Sequence, residues 1–346
     1  MKVLIVKLSS MGDLIHTLPA LADLKLNLPG VQIDWLVESS MQNIPAWQPA
    51  VIKVIPINLR KFTLAKLPAL FKALKMLREE SYDLVIDGQG LIKSAILARC
   101  ARAKIITGYA KCSVREKLAA YLYHKKIRVA KDLHAIDRLR VLLAQTFAYH
   151  VDLARPVYDL PWHKIDALPY TAQSLGTFGQ YVVFLHGTTW ESKHWPDEYW
   201  HELALLVKNI GYKVVMTSAN AQQLARVQAI AQNNPAVIVV PPLTINQMVG
   251  ILRQASAAVS VDTGFGHLAS AIDIPVLGLY GPTNPLKAGM CASTNAQNLV
   301  SDFDCVFCAK RICSYQRSVV SPRPVCLGKL NPRIVFAKLQ AMLPEA

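Results

Sequence analysis

AAVSVDTGFGHLASAIDIPVLGLYGPT, residues 257–283, contains the clearest structural pattern in the chain. An apolar run, 257–261, ends abruptly in Asp-Thr-Gly (262–264), and small residues at helical spacing follow. A second apolar run, 275–280, ends at Gly-Pro-Thr. This order predicts a strand, a tight turn, a helix and another strand, the repeating unit of a parallel α/β sheet. Ligands of such sheets bind at the carboxyl ends of the strands.

The turn at 262–264 has two interpretations. A helix beginning at Gly264 points free backbone N–H groups and a positive dipole end toward the turn, which suits a phosphate. Thr263 adds a hydroxyl donor, and Asp262 adds a carboxylate that suits sugar hydroxyls. The alternative is an ordinary turn in which Asp262 or Thr263 caps the helix.

The same strand–loop–helix order recurs along both halves of the chain. It predicts two doubly wound parallel-sheet domains of about 150 residues each. The predicted strands are 2–8, 33–37, 51–56, 82–86, 105–108, 181–185, 214–217, 237–240, 257–261 and 275–280. We expect domains at 1–160 and 179–330, a linker at 161–178 and a C-terminal segment at 331–346.

Composition indicates an anionic partner. The 346 residues include 38 Lys and Arg against 23 Asp and Glu, a net charge of +15. Such a surplus favours nucleic acid, acidic lipid or a phosphorylated substrate. No nucleic-acid-binding motif is present in the sequence, so nucleic acid is not expected as a partner. No apolar run reaches the roughly 20 residues of a membrane span, and residues 1–14 do not resemble a secretory signal, so we expect a cytoplasmic protein.

Two segments of the first half combine polar groups with predicted helix starts. Ser9, Ser10, Gly12 and Asp13 follow the first strand: the serines offer hydroxyls, and Gly12 permits close backbone approach. The carboxylate of Asp13 either caps the following helix, expected at 14–26, or faces a ligand at the strand end. A basic amphipathic helix is expected at 66–80. Its apolar side packs on the sheet, the commoner use, or lies on an anionic membrane.

Three motifs together resemble the lipopolysaccharide heptosyltransferases of glycosyltransferase family 9, in order over nearly the whole chain. The resemblance is greatest to members that add heptose to the first Kdo sugar of lipid A. The motifs are KLSSMGDLIHTLPAL (7–21), IDGQGLIKSA (86–95), and HGTTWESKHWP (186–196) paired with VDTGFGHLASA…YGPT (261–283). The resemblance implies a GT-B fold, in which two Rossmann-like domains face a central cleft. It also implies inverting, metal-independent transfer of L-glycero-D-manno-heptose from ADP-heptose.

The resemblance also implies roles for individual residues. Asp13 matches the base that takes the acceptor proton, with Ser9, Ser10 and Gly12 beside the acceptor. On the donor side, Asp262 matches the position that holds the sugar and His267 the one near the diphosphate. The charge on the leaving ADP requires cations and N–H donors, for which the chain offers Lys193, Thr188, Thr189, Thr263 and Gly264.

Other positions match the family less closely. Arg60 and Lys61 match a basic loop that binds Kdo carboxylates, but Phe62 and Thr63 continue it where relatives carry more arginine. This favours a single Kdo bearing a phosphate over two Kdo units as acceptor. Gln222 and Gln223 stand where relatives often place a ribose-binding glutamate, and Leu243 is expected near adenine through its backbone.

The resemblance further implies a C-terminal helix that crosses back to brace the first domain. The acceptor is lipid-anchored, so peripheral association with the inner membrane's cytoplasmic leaflet is expected. No cofactor is expected. Cys305, Cys308, Cys313 and Cys326 resemble the tail of other family 9 members, which leaves open a transferase that adds to a later inner-core sugar. They form either a structural zinc site or a set of reduced, packed or disulfide-forming cysteines.

Two other classes explain less of the sequence. A dinucleotide-dependent oxidoreductase requires Gly-x-Gly-x-x-Gly after a strand, and the loop at 9–13 has a single glycine. A non-catalytic basic protein on a membrane surface accounts for the net charge but gives no role to Asp13, Lys193 or Asp262.

Overall fold

The computed structural model describes residues 1–59, 67–154, 156–165, 179–291, 294–315 and 324–344. The chain divides into two compact units, Met1–Pro161 and Trp162–Ala346. Each unit contains a six-stranded sheet whose paired strands are all parallel. The predicted pair of parallel α/β sheets is therefore confirmed.

The first unit is built around an apolar central strand. The strands are β1 (Lys2–Val6), β2 (Gln32–Glu38), β3 (Val51–Ile57), β4 (Ser81–Asp87), β5 (Arg102–Tyr109) and β6 (Lys125–Ile127). The helices are α1 (Met11–Ile15), α2 (Leu18–Asn27), α3 (Asn43–Ala46), α4 (Leu67–Glu79), α5 (Ile92–Cys100) and α6 (Ala135–Phe147). The sheet order is β3-β2-β1-β4-β5-β6, so β1 lies between β2 and β4 and is buried almost throughout.

Connection handedness places the helices of the first unit on two sides of its sheet. The chain moves in one direction along the sheet from β1 to β2 and in the other from β3 to β4 and from β4 to β5. Right-handed crossovers then put α2 on one face and α4 and α5 on the opposite face. Contacts agree, since α2 packs against α6, while α5 packs against α4 and a 3₁₀ turn, Lys117–Leu122.

A buried ion pair joins α2 to α6. Arg140 Nε lies 2.7 Å from Asp23 Oδ2, and an Arg140 terminal nitrogen donates to the carbonyl of Asp152 at 2.6 Å. The guanidinium is thus satisfied by both a carboxylate and a backbone oxygen. Arg140 is buried and also lies 3.5 Å from Asp137 Oδ1, so the half-buried Asp23 is one of two carboxylates that compensate its charge.

The second unit repeats the arrangement. Its strands are β7 (Tyr181–Leu185), β8 (Lys213–Thr217), β9 (Val237–Val240), β10 (Ala257–Val261), β11 (Val276–Tyr280) and β12 (Ala296–Val300), in the order β12-β11-β10-β7-β8-β9. The helices are α7 (Trp162–Ile165), α8 (Asp197–Asn209), α9 (Ala221–Ala231), α10 (Ile245–Arg253), α11 (Gly264–Ile272), α12 (Pro285–Ala288), α13 (Val325–Gly328) and α14 (Pro332–Gln340).

Aromatic residues and the last helix close the core of the second unit. The rings of Trp195 and Trp200 are fully buried and meet edge to face at 4.9 Å. Val335 and Leu339 of α14 belong to the same core, and α14 packs against α8. The described contacts therefore tie α14 to the second unit. Its expected bracing of the first domain stays a prediction.

The single helix expected at 14–26 is wrong. The chain forms α1 and α2 instead, separated at His16 and Thr17. Pro19 lies in the first turn of α2, where a missing N–H costs nothing. The hydroxyl of Thr17 donates to the carbonyl of Asp13 at 2.8 Å and thereby satisfies part of the end of α1.

Two edge strands, β6 and β12, were not predicted. Their sequences, KKI and AQNLV, contain lysine or amide side chains and no apolar run. A strand at a sheet edge has one neighbour and can stay partly solvated, so β6 and β12 lack the apolar pattern that reveals the edge strands β3 and β9. Within the described residues, no helix has both the length and the apolar character needed to cross a membrane.

Gly108 provides a test of packing in the first unit. A Cβ at this position would overlap the ring of Tyr123, whose hydroxyl donates to the buried Asp87 at 2.6 Å. We expect Gly108→Ala to lower the free energy of unfolding by about 1–3 kcal/mol, because overpacking displaces the ring and its hydrogen bond. Urea unfolding followed by fluorescence measures this change.

Gly30→Ala is the matched control. Nothing lies within 4 Å of a Cβ built at Gly30, so this variant should unfold like the wild type. Equal stability of the two variants would contradict the packing argument.

Candidate active site

Asp262, directly after β10, is the centre of a charged cluster in the second unit. Lys193 Nζ lies 2.6 Å from Asp262 Oδ2, and His267 Nε2 lies 3.4 Å from Oδ1. The hydroxyl of Thr283 also donates to Oδ2 at 2.7 Å. The fold therefore brings together the predicted residues Asp262, Lys193 and His267. Lys193 comes from the turn after β7, while Asp262 and His267 come from the junction of β10 and α11.

The cluster strongly favours the ionised carboxylate. Burial by itself raises the pKa of Asp262, but the hydrogen bond of His267 and the charge of Lys193 outweigh burial and hold the pKa below its usual range. The carboxylate thus remains negative throughout the physiological range. It can accept hydrogen bonds from a polyhydroxylated ligand while keeping the Lys193 ammonium in place.

The turn that carries Lys193 is fixed on both sides. Residues Glu191–Lys193 form a 3₁₀ turn, and the ammonium of Lys193 lies 4.3 Å above the centre of the Trp190 ring. Ser192 donates through its amide to the carbonyl of Arg311 at 3.1 Å and through its hydroxyl to the carbonyl of Lys310 at 2.6 Å. The segment that holds the clustered cysteines therefore supports this turn.

The helix α11 begins at Gly264, as the sequence predicts. Thr263 occupies the N-cap position in extended conformation, but its side chain makes no capping hydrogen bond. The capping interpretation is thus confirmed for the backbone position of Thr263 and is wrong for its hydroxyl. The carboxylate of Asp262 is used by the charged cluster.

A close contact fixes the first turn of α11. A Cβ at Gly266 would overlap Met290 and the hydroxyl of Ser260, so glycine allows α11 to approach the sheet. The N–H groups at the start of α11 are therefore held beside the Asp262 cluster.

The remaining predicted donor residues all follow carboxyl ends of strands. Thr188 is half-buried and Thr189 exposed in the loop after β7, and Leu243 is half-buried in the loop after β9. Because every pairing in this sheet is parallel, these loops share one edge with Asp262.

Two glutamines begin α9 after β8, and they differ in position. Gln222 is exposed. Gln223 accepts from the amide of Ala219 at 2.8 Å and reaches the loop after β7, where a Cβ at Gly187 would lie 3.2 Å from its amide nitrogen. The structure thus brings Gln223 rather than Gln222 to this loop.

In the first unit, Asp13 caps its own helix. Asp13 Oδ2 accepts from the amide of Ser10 at 2.7 Å and from the hydroxyl of Ser10 at 2.9 Å. Gly12 is buried, while Ser10 is exposed and Asp13 half-buried. The capping interpretation of Asp13 is confirmed, and its role as a base stays a prediction.

The loop of Asp13 is held by residues that follow β4. The side-chain oxygen of Gln89 accepts from the amides of Leu8 at 3.0 Å and Ser9 at 3.3 Å. Lys7 Nζ donates to the carbonyl of Gly88 at 2.9 Å. Gln89 and Lys7 were not predicted as site residues. Their sequence position immediately after strands β4 and β1 was the available signal.

Lys7 is a half-buried lysine within this loop cluster. Burial lowers its pKa, and the neighbouring charges of Arg138 and Arg115 lower it further, while Asp13 and Asp87 oppose the change. The carboxyl edge of the first sheet therefore combines Asp13 with several basic groups. The predicted acceptor residues Arg60 and Lys61 lie outside the described residues.

The four clustered cysteines are free thiols in the structure. Cys313 and Cys326 are buried, and burial raises the pKa of Cys326 to about 11. No group of three His, Cys, Asp or Glu side chains in the described part of the chain is arranged to hold a metal ion.

The cysteine segment is tied to the loop after β11. Its backbone amides at Phe307 and Ala309 donate to the carbonyls of Gly281 and Pro282 at 2.8 Å each.

Known proteins share this architecture. Lipopolysaccharide heptosyltransferase 1 of Pseudomonas aeruginosa is 41% identical over 359 residues, covering 99% of this chain and 98% of that protein. The Escherichia coli K12 protein of the same name is 39% identical over 290 residues, which cover 82% of this chain and 89% of that protein. The structure of E. coli heptosyltransferase WaaC with ADP is 33% identical with a TM-score of 0.84, covering 99% of this chain and 100% of that one.

A more distant structure shares the fold alone. E. coli ADP-heptose lipopolysaccharide heptosyltransferase II has a TM-score of 0.78 at 20% identity.

Residues 70–318 match the family described as glycosyltransferase family 9 (heptosyltransferase). This match spans most of the chain, and the relatives agree over nearly its full length. The chain therefore belongs to glycosyltransferase family 9, and its two parallel sheets are those of a GT-B heptosyltransferase.

Proposed function

We propose that this protein transfers L-glycero-D-manno-heptose from ADP-heptose to a Kdo sugar of lipid A during synthesis of the lipopolysaccharide inner core. The observation that carries the proposal is the Asp262–Lys193–His267 cluster beside the start of α11. Relatives at about 40% identity carry the name lipopolysaccharide heptosyltransferase 1, and structures of E. coli heptosyltransferase WaaC contain ADP or ADP-2-deoxy-2-fluoro heptose.

On the donor side, residues of different charge contact different parts of ADP-heptose. Asp262 accepts hydrogen bonds from heptose hydroxyls. Lys193 and the N–H groups at Gly264 meet the diphosphate, whose negative charge grows as ADP leaves. His267 lies beside them, and Thr188, Thr189 and Leu243 complete the contacts to phosphate and adenosine. Gln223, through its contact with the loop after β7, is better placed than Gln222 to reach a ribose.

The transfer itself is a single displacement. The acceptor hydroxyl oxygen attacks the anomeric carbon from the face opposite ADP, and its proton passes to Asp13. The bond from the anomeric carbon to the β-phosphate oxygen breaks, and its electron pair leaves with ADP. Inversion follows from this geometry. Lys193 and the α11 amides stabilise the leaving charge.

On the acceptor side, basic groups suit the acidic sugar. Lys7 lies within the electrostatic reach of Asp13, Arg115 and Arg138, and Kdo carries a carboxylate. Arg60, Lys61, Ser9, Ser10 and Gly12 are proposed as further acceptor contacts. The lipid-anchored acceptor further implies that the protein works peripherally on the cytoplasmic face of the inner membrane.

A transfer assay tests the function directly. We expect heptose transfer from ADP-heptose, and not from GDP-activated sugar, to Kdo-lipid A, with singly phosphorylated Kdo preferred over a Kdo disaccharide. Mass spectrometry of the product measures the added heptose. Transfer only to an acceptor that already carries heptose would contradict this function in favour of a later inner-core step.

Asp13→Asn separates the two uses of this carboxylate. The amide keeps an oxygen that accepts from Ser10, so the helix cap survives, but the base is lost. We expect kcat to fall by about a hundredfold to ten-thousandfold, while ADP affinity in calorimetry stays unchanged.

Asp83→Asn serves as the control carboxylate. Asp83 lies near the start of β4, where it accepts from the amide of Lys2 at 2.9 Å. Transfer by this variant should stay within about twofold of the wild type. A similar loss in both variants, or none in Asp13→Asn, would remove Asp13 from the base role.

Lys193→Met tests the cation of the donor site. We expect kcat to fall by at least about a hundredfold, because the charge on departing ADP loses a fixed counter-charge. The pKa of Asp262 should also rise once Lys193 is gone, because the charge of Lys193 helps to hold it below its usual range, and NMR titration of the carboxylate measures this rise. Lys208→Met, an exposed position on α8, should change neither quantity. A normal kcat in Lys193→Met, with an unchanged pKa of Asp262, would contradict this assignment.

A further inference from the structure

One outward surface of the first unit has no role in the proposed chemistry. It is formed by α4, α5 and the 3₁₀ turn Lys117–Leu122, which lie side by side on one face of the sheet. We call this surface the outer layer. Its inner side is held by ordinary core residues, among them Ala73, Leu77 and Ala95, so its outward residues are not needed to fix the helices.

The outward residues are unusually apolar for a solvated face. Phe71 is 66% exposed, Ile96 51%, Leu118 65% and Tyr121 63%, and Ile92 is also exposed. Single exposed apolar residues are common, but grouping on adjacent elements is characteristic of an interaction surface. On α5, Ile92 and Ile96 are one turn apart and share the exposed side.

Positive charge surrounds these apolar residues. The three segments contain six Lys and Arg but one acidic residue, Glu79, which pairs with Lys53 at 3.5 Å. Exposed lysines alternate with the apolar side chains, and in the described part of the chain none of them forms an ion pair with a carboxylate: Lys72, Lys75, Lys93 and Lys117. A neighbouring carboxylate, that of Glu116, accepts from the amide of Ile92 at 2.7 Å and so caps α5.

We propose that the outer layer docks on an anionic lipid bilayer. Large apolar side chains interleaved with lysines are the composition of helices that lie in a membrane interface, with the apolar groups among acyl chains and the lysines at the headgroups. Charge complementarity selects an anionic surface. The choice of a bilayer over an acidic protein rests on the proposed function, whose acceptor is a lipid.

The outer layer lies close in structure to the proposed base. α5 begins three residues after Gln89, whose side chain holds the amides of Leu8 and Ser9 in the loop of Asp13. Docking through this surface therefore brings the same end of the first sheet toward the lipid headgroups. A membrane-embedded sugar acceptor is then presented to the loop without leaving the bilayer.

The test compares two double variants of the full chain. Lys93→Glu with Ile96→Ser alters the outer layer, and Ile334→Ser with Lys338→Glu alters α14 in the second unit. The control is matched, because Ile334 is 52% exposed and Lys338 lies one turn away on the same exposed side. Thermal melts establish that both variants fold.

Vesicle sedimentation gives the first readout. Wild type should bind vesicles of phosphatidylcholine with about one third phosphatidylglycerol, and bind pure phosphatidylcholine weakly. The Lys93→Glu/Ile96→Ser partition coefficient should fall by about tenfold or more, since each lysine near such a surface contributes about fivefold. The α14 variant should match the wild type. Added salt should weaken wild-type binding.

Activity separates this proposal from the function on which it rests. With acceptor embedded in vesicles, the outer-layer variant should transfer heptose more slowly, while with a deacylated, water-soluble Kdo acceptor it should match the wild type. Vesicle binding by the wild type without any heptose transfer would contradict the proposed function but not the docking surface. Equal vesicle binding by both variants, or no preference of wild type for anionic lipid, would overturn the docking surface; the latter result would favour an acidic protein partner.

Discussion

Parallel strand pairing is the constraint on which the chemistry of both units depends. Because all strands of a sheet run the same way, each loop that follows a strand emerges at one edge. In the second unit this brings Lys193, Asp262 and Thr283, which are up to 90 residues apart, to a single carboxylate. In the first unit it brings the Asp13 loop against Gln89, about 80 residues away. Helix α11 adds His267 to the cluster in the second unit, and Asp13 lies in the first turn of α1.

The Asp262 cluster shows how a buried charge is retained. Burying a carboxylate costs free energy, and Asp262 offsets that cost with an ammonium, an imidazole and a hydroxyl. Lys193 is in turn placed over Trp190, on a turn anchored by Ser192 to the carbonyls at 310 and 311. The charges of this cluster are thus fixed by the protein's own contacts, which is the condition under which electrostatic stabilisation is most effective.

The sequence was sufficient for elements with a strong local pattern. Runs such as 181–185 and 257–261 matched the observed strands, because central strands buried on both faces are continuously apolar. The edge strands β6 and β12 lacked that pattern and were missed. Asp262, Lys193 and His267 were recognised as a set through family resemblance. Lys7, Gln89 and Thr283 were not, since their roles arise from pairings between distant loops that no periodicity records.

The cap made by Asp13 is compatible with its proposed role as a base. Both capping hydrogen bonds end on Oδ2 and come from Ser10, so they fix the side-chain rotamer without requiring the whole carboxylate. A carboxylate with two oxygens has about four acceptor sites, and two remain on Oδ1. A cap that fixes the rotamer also lowers the entropy lost when an acceptor hydroxyl must be held in line for attack. The helix cap therefore holds the carboxylate of Asp13 in the fixed position that the proposed base needs.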